Sequence, residues 1–175
     1  SAVQPLTPGM PSFIFTRPKL DEFAEKTIRW PGHWQGIETL KECGLLDLTP
    51  VEFQGLHIPP REFTASVVGA KLRPLEGDTD VCVMWNTVIG TKNGQRMRID
   101  YYMWDEADTK NGISSMARVT AFPAAIAAAS MGSGQIPKKG IVPPEDCIEG
   151  ALYDLFIKEL KKRNITILEI ATPME

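Results

Sequence analysis

Alternation dominates the middle of the chain. Val81, Val83, Trp85, Thr87 and Ile89 interleave with Cys82, Met84, Asn86 and Val88, and Met97, Ile99, Tyr101 and Met103 interleave with Arg98, Asp100, Tyr102 and Trp104. A period of two belongs to β-strands, whose successive side chains point to opposite faces. Between the two runs lies Thr91-Lys92-Asn93-Gly94-Gln95. Asn-Gly takes the positive φ angles of a tight turn, so the pattern predicts a β-hairpin. The aromatic residues of these strands predict one face packed on helices and the other free for an interface.

Elsewhere the spacing is helical. Ile37, Leu40 and Cys43 share one face of a helix that starts near His33, after the break at Pro31-Gly32, and ends at Gly44. Pro59-Pro60-Arg61-Glu62 opens a second helix, because proline suits the first turn and Glu62 the positive end of the dipole; it ends before Pro74. Ser114 or Ser115 caps a third, running to about Met131, and its small-residue middle from Ala124 to Ala129 lets a neighbour approach closely. Gly132-Ser133-Gly134 stops it. Pro143-Pro144-Glu145-Asp146 opens the last helix, with the apolar stripe Ile148, Leu152, Leu155, Phe156 and Leu160. Lys161, Lys162 and Arg163 close its negative end, and Asn164 is the expected left-handed cap.

Ile165 to Ile170 reads as a final strand. Residues 1–18, with Pro5, Pro8, Pro11 and Pro18, read as an extended arm or a connection from a domain upstream, with Phe13-Ile14-Phe15 as a short edge strand. Lys19 to Trp30 reads as extended, and residues 19–175 as one domain. The order predicts an α+β fold: a mixed, mostly antiparallel sheet with helices packed on one face, not a doubly wound unit.

Composition narrows the function. The chain has 175 residues, 43% hydrophobic and 23% charged, which is enough for a core and speaks against general disorder. The formal net charge is −3 and the longest basic run is Lys161-Lys162-Arg163, so no nucleic-acid face is expected. No apolar stretch reaches the roughly 18 residues of a membrane span. The N-terminus lacks a basic region followed by an apolar run, so no secretory signal is expected and the cytoplasm is the expected compartment. Cys43, Cys82 and Cys147 are scattered and there are two histidines, so neither a disulfide framework nor a metal site is expected.

No Gly-x-Gly-x-x-Gly follows a strand, no phosphate loop is present, and no Gly-x-Ser-x-Gly elbow occurs. A small hydrolase built on His33 therefore lacks a nucleophile motif. Two segments carry candidate chemistry. In Lys26-Thr27-Ile28-Arg29-Trp30-Pro31-Gly32-His33, an arginine, an indole and an imidazole meet at a helix entrance suited to a carboxylate; the plainer reading is a surface arginine and a capping histidine. In Ser114-Ser115-Met116-Ala117-Arg118-Val119-Thr120, Arg118 either faces a cleft or forms an internal ion pair with Asp100 or Asp105.

These segments resemble signatures of the saccharopine dehydrogenase-like (lysine dehydrogenase-like) family. Lys26 to His33 is similar to its Lys-Thr-Leu-Arg-Tyr-Pro-Gly-His, with Ile28 and Trp30 as departures. Met116 to Thr120 resembles Met-Ala-Arg-Thr-Thr, with Val119 as the departure. Pro60-Arg61-Glu62, the Gly90 to Gly94 turn and Lys139 to Glu145 follow in the same order, so the likeness covers about residues 19–170.

The resemblance implies the second domain of an NAD- or NADP-dependent oxidoreductase acting on the C–N bond of an amino acid or amino-acid adduct, with the cofactor held mainly by a missing N-terminal domain. It implies His33 as the catalytic residue and Arg29, Trp30, Gly32, Arg118 and Thr120 as substrate-binding residues. It also implies a homodimer, paired through the hairpin sheet, and an isolated chain that is inactive. The competing expectation is a non-catalytic pairing module that keeps the fold.

Overall fold

The computed structural model describes residues 3–6 and 12–175. The Pro8 and Pro11 part of the expected arm lies outside them. The chain divides into two compact units, Ser1–Asp78 and Thr79–Glu175. The fold is α+β, and every strand pairing among the described residues is antiparallel.

In the first unit, β1 (Val3–Leu6) pairs with β2 (Lys26–Ile28). Between them Phe13–Thr16 forms a single helical turn, α1, not the edge strand expected there. The reason is local: the Ser12 carbonyl accepts from the N–H groups of Phe15 and Thr16, each at 2.9 Å, and from Thr16 Oγ1 at 3.1 Å. Helix α2 (His33–Glu42) and helix α3 (Pro60–Lys71) fall where the periodicity places them. Between these helices lies a hairpin that the sequence reading omitted, β3 (Val51–Phe53) and β4 (Leu56–Ile58). It turns through Gln54-Gly55, both at positive φ, and its strands are too short for alternation to register.

In the second unit, β5 (Val81–Lys92) and β6 (Gln95–Glu106) form the predicted hairpin. Asn93 and Gly94 take φ angles of 54° and 79° at its turn. The final strand, β7 (Ile167–Pro173), pairs with β6, giving the order β5-β6-β7. Helix α4 (Ser115–Gly132) carries Ser114 as its N-cap, whose side chain accepts from Ala117 N–H at 3.1 Å. The expected last helix is instead two: α5 (Pro144–Cys147) and α6 (Ala151–Lys161). The chain breaks at Gly150, with φ 55° and ψ −129°, a backbone that only glycine adopts readily. Ile148 therefore lies outside the stripe of α6. Asn164 is left-handed after it, at φ 59°.

The two faces of the three-stranded sheet differ. Met103 and Ile167 are register partners, and both pack with Ile126 of α4, Leu160 of α6 and Ile165. This is the core of the second unit, with helices on one face of the sheet. On the opposite face Trp85, Trp104, Leu168 and Ile170 are each more than half exposed. At the centre of that face sits Asp100, buried by its own donors: Trp85 Nε1 at 3.1 Å, Thr87 Oγ1 at 2.5 Å and Arg98 Nε at 2.7 Å. The Arg98 hydrogen bond, then those of Thr87 and Trp85, hold its carboxyl well below the usual range. The polar centre is thus satisfied while the apolar rim is open.

Leu160 is 5% exposed at the point where α6 meets α4 and the sheet. Leu160→Ala is expected to destabilise the chain by about 3 kcal/mol, measured by urea denaturation. A loss below about 1 kcal/mol would place the stabilising core elsewhere.

Candidate functional site

The first candidate corner is built by the end of β2 and the start of α2. Gly32 is the N-cap of α2 with φ 88°, and the His33 N–H donates to Trp30 O at 3.2 Å. This tight turn places Arg29, Trp30 and His33 on a short exposed stretch. Among the described residues the only hydrogen bond of the Arg29 guanidinium goes to its neighbour, Ile28 O, at 3.5 Å. That contact is long and local, so the planar fork is available to a carboxylate. The Trp30 indole is 73% exposed. The exposed His33 ring stands edge-on to Trp34 at 4.9 Å. Trp34 Nε1 and Glu25 Oε2, which flank this stretch in sequence, are buried without a hydrogen-bond partner among the described residues.

The second candidate, Arg118, belongs to the other unit and is the opposite case. It is 7% exposed. Its Nε lies 3.2 Å from Asp105 Oδ2 and its Nη2 lies 3.1 Å from Asp105 Oδ1, a two-pronged pair. Nη2 also donates to Arg163 O, just past α6, at 2.9 Å. The Phe122 ring lies 5.7 Å from the guanidinium carbon. Of the two partners weighed from the sequence, Asp105 holds it and Asp100 is bound elsewhere. Only Nη1, 3.9 Å from Asp108 Oδ2, points toward the open cleft lined by Asp108, Lys110, Asn111 and Asn164. A ligand would have to share that one nitrogen or displace Asp105. Thr120 is exposed, two residues on, with its hydroxyl 3.6 Å from Met116 Sδ. Val119 packs against the apolar core, which explains an aliphatic side chain at that position.

The structure therefore gathers Arg29, Trp30, Gly32 and His33 on one stretch and sets Arg118 and Thr120 in the other compact unit.

Two sets of polar contacts at the start of α4 carry no signal in the sequence: those of Ser115, which reads there as a helix cap, and those of Asp80. Ser115 is fully buried, and its Oγ lies 2.8 Å from the Asp105 carboxylate and accepts from Cys82 N–H at 3.1 Å. Asp80 caps α4 from outside, accepting from Ser115 N–H at 2.6 Å and Met116 N–H at 2.8 Å. It does the work of an N-cap from a residue 35 positions away in sequence. A local motif search has no signal for such a contact. The Met116 N–H, reinforced by that of Ser115, holds the Asp80 carboxyl below the ordinary range.

Two expectations follow from this geometry. Asp80 has a folded pKa below its unfolded value, so its stabilisation is present above about pH 4 and is lost as pH falls through the folded value. The wild-type chain should accordingly lose more unfolding free energy than Asp80→Asn between about pH 5 and pH 2, measured by urea titration at each pH. Arg118→Ala, which leaves Asp105 buried without its partner, should cost about 3 kcal/mol or more in the same assay. Arg29→Ala should change stability by less than about 0.5 kcal/mol. Equal costs for the two arginines would contradict the roles drawn from their surroundings.

A family model described as the saccharopine dehydrogenase C-terminal domain matches residues 10–165 of this chain.

Proposed function

The chain belongs to the saccharopine dehydrogenase C-terminal domain family, and from that premise we propose that it is the substrate-binding and pairing domain of an NAD(P)-dependent oxidoreductase. The substrate class is an amino acid or amino-acid adduct, such as lysine, saccharopine or a polyamine precursor, and the bond acted on is C–N. The observation that carries the reading is the state of Arg29: exposed, with no ion pair among the described residues, in the stretch that holds Trp30 and His33. A guanidinium fork binds a substrate carboxylate in two parallel hydrogen bonds. The Trp30 indole covers the methylene chain, and His33 orients the polar end or moves a proton. Hydride exchange needs such positioning more than it needs a nucleophile.

The nicotinamide, which supplies or accepts the hydride, is assigned to a separate nucleotide-binding domain, because this chain has no glycine-rich strand–turn–helix to hold it. The surface of the first unit supports a neighbouring domain. Its only buried described residue is Thr64, while Phe53, Leu56, Phe63 and Val67 are each more than half exposed. Exposed apolar surface of this extent is typical of a region that packs on another body. The open aromatic face of the three-stranded sheet supports pairing with a second copy in the same way.

A second reading is a pairing module without catalysis. The observation in its favour is Arg118, whose fork is filled by Asp105.

The complete gene product that contains this chain separates the two readings. It is tested for NAD(P)H formation with lysine, saccharopine and polyamine precursors. One substrate is expected to reduce the cofactor, and Arg29→Ala is expected to raise its KM by roughly 10- to 100-fold without a change in Tm, matching a charged hydrogen bond of about 1.5–3 kcal/mol. Absence of turnover with every candidate would leave the pairing module; turnover with an unchanged KM in Arg29→Ala would overturn the carboxylate-binding role of Arg29.

A further inference from the structure

The three-stranded sheet has two edge strands, β5 and β7, and they are built differently. Edge strands invite pairing, and proteins blunt them with charge, proline, bulges or short length. Strand β7 is blunted: it is the shorter of the two at seven residues, carries Glu169 as its third residue and ends on Pro173. Strand β5 has none of these devices. It runs for twelve residues without proline, and its first charged residue is the last one, Lys92. Its register with β6 is one-to-one throughout, without a bulge. From Trp85 to Lys92 it is exposed. Apart from the bond of Cys82 N–H to Ser115, no hydrogen bond from outside the hairpin ladder reaches its backbone among the described residues.

The strand is also complementary to itself. Its flanking charges are Asp80, just before it, and Lys92, at its end. Antiparallel pairing of two copies about Asn86 places Asp80 of each opposite Lys92 of the other. The same register sets Val83 opposite Ile89, Met84 opposite Val88 and Trp85 opposite Thr87. Cross-strand pairs of this kind are the stabilising unit of a sheet. The register joins odd positions to odd positions, so the exposed aromatic faces of both copies stay on one side and the helices on the other. A slip of one residue would join unlike faces.

We propose that β5 is the pairing strand: two copies join antiparallel along their β5 edges, about a two-fold axis at Asn86, into one continuous six-stranded sheet. The arrangement closes at two, because each copy uses the one unblunted edge of its three-stranded sheet. It rests on the reading above that this chain pairs with a second copy, and it places the contact on the β5 edge, not on the open sheet face.

The test uses the full chain in light scattering after size exclusion, across a concentration series. Asn86→Lys sets two ammonium groups opposite each other on the axis, at a side chain exposed to solvent. The wild-type chain is expected to be a dimer whose Tm rises with concentration, and Asn86→Lys a monomer with unchanged circular dichroism and a concentration-independent Tm. Asn86→Cys, in a Cys43→Ser background, is expected to form a disulfide between the two copies of position 86 under mild oxidation, mapped by peptide mass spectrometry. This second variant decides the matter if the lysine variant fails to fold. A dimer that survives Asn86→Lys and forms no such link overturns edge pairing while leaving a dimer through the sheet face. A wild-type monomer at high concentration overturns both. Larger oligomers that Asn86→Lys dissolves overturn the closed two-fold.

Discussion

The pair between Arg118 and Asp105 ties together the parts of the second unit that lie far apart in sequence. Asp105 belongs to β6 and Arg118 to α4, and the same guanidinium reaches Arg163 O just past α6. Ser115, fully buried, adds its hydroxyl to the Asp105 carboxylate and ties in β5 through Cys82. Taking two charges out of water costs several kcal/mol, and their attraction offsets this only when the geometry is good and the remaining donors are satisfied. The geometry here is good: the pair is two-pronged, Nη2 also donates to the Arg163 carbonyl, and Nη1 lies 3.9 Å from Asp108 Oδ2 beside the open cleft. The hairpin, the long helix and the turn before β7 are held in one arrangement because any other would leave one of these groups unpaired.

That arrangement decides which surfaces remain open. With α4 and α6 covering one face of the sheet, the aromatic residues of the other face have no partner within the unit. Asp100 sits among them yet is fully bonded, so the face is apolar at its rim and polar but satisfied at its centre. Such a surface loses little on contact with another protein, since its buried carboxylate already has its donors. The β5 edge beside it, uncharged up to Lys92, is suited to a second copy. In the other unit, openness takes a different form: a cation without an ion-pair partner among the described residues and an indole in solvent, which suit a small anionic ligand.

Much of the fold was legible from local chemistry. The hairpin followed from period-two alternation around Asn93-Gly94, and the starts of α2, α3 and α4 followed from a glycine, a proline pair and a serine. The likeness of Lys26–His33 and of Met116–Thr120 to family signatures matched the domain later found over residues 10–165. What local pattern missed was short or irregular: the three-residue strands around Gln54-Gly55, the turn of helix at Phe13, and the break at Gly150. In each case one or two backbone angles or a single side-chain hydrogen bond outweighed the propensity of the neighbouring residues.

The amino-acid sequence alone determined the type and order of the long elements, the family, and the residue types able to meet a carboxylate, because each of these is written in near-neighbour spacing. It left the state of the two arginines undecided, since burial and pairing are properties of the folded surroundings. Only the tertiary structure separated them: Asp105 lies thirteen residues before Arg118 in sequence yet fills its fork, while nothing comparable among the described residues reaches Arg29. It likewise decided that Asp80 caps a helix begun 35 residues later. Long-range contacts of this kind carry no periodic signature, because they arise where the packed elements happen to bring a donor and an acceptor within reach.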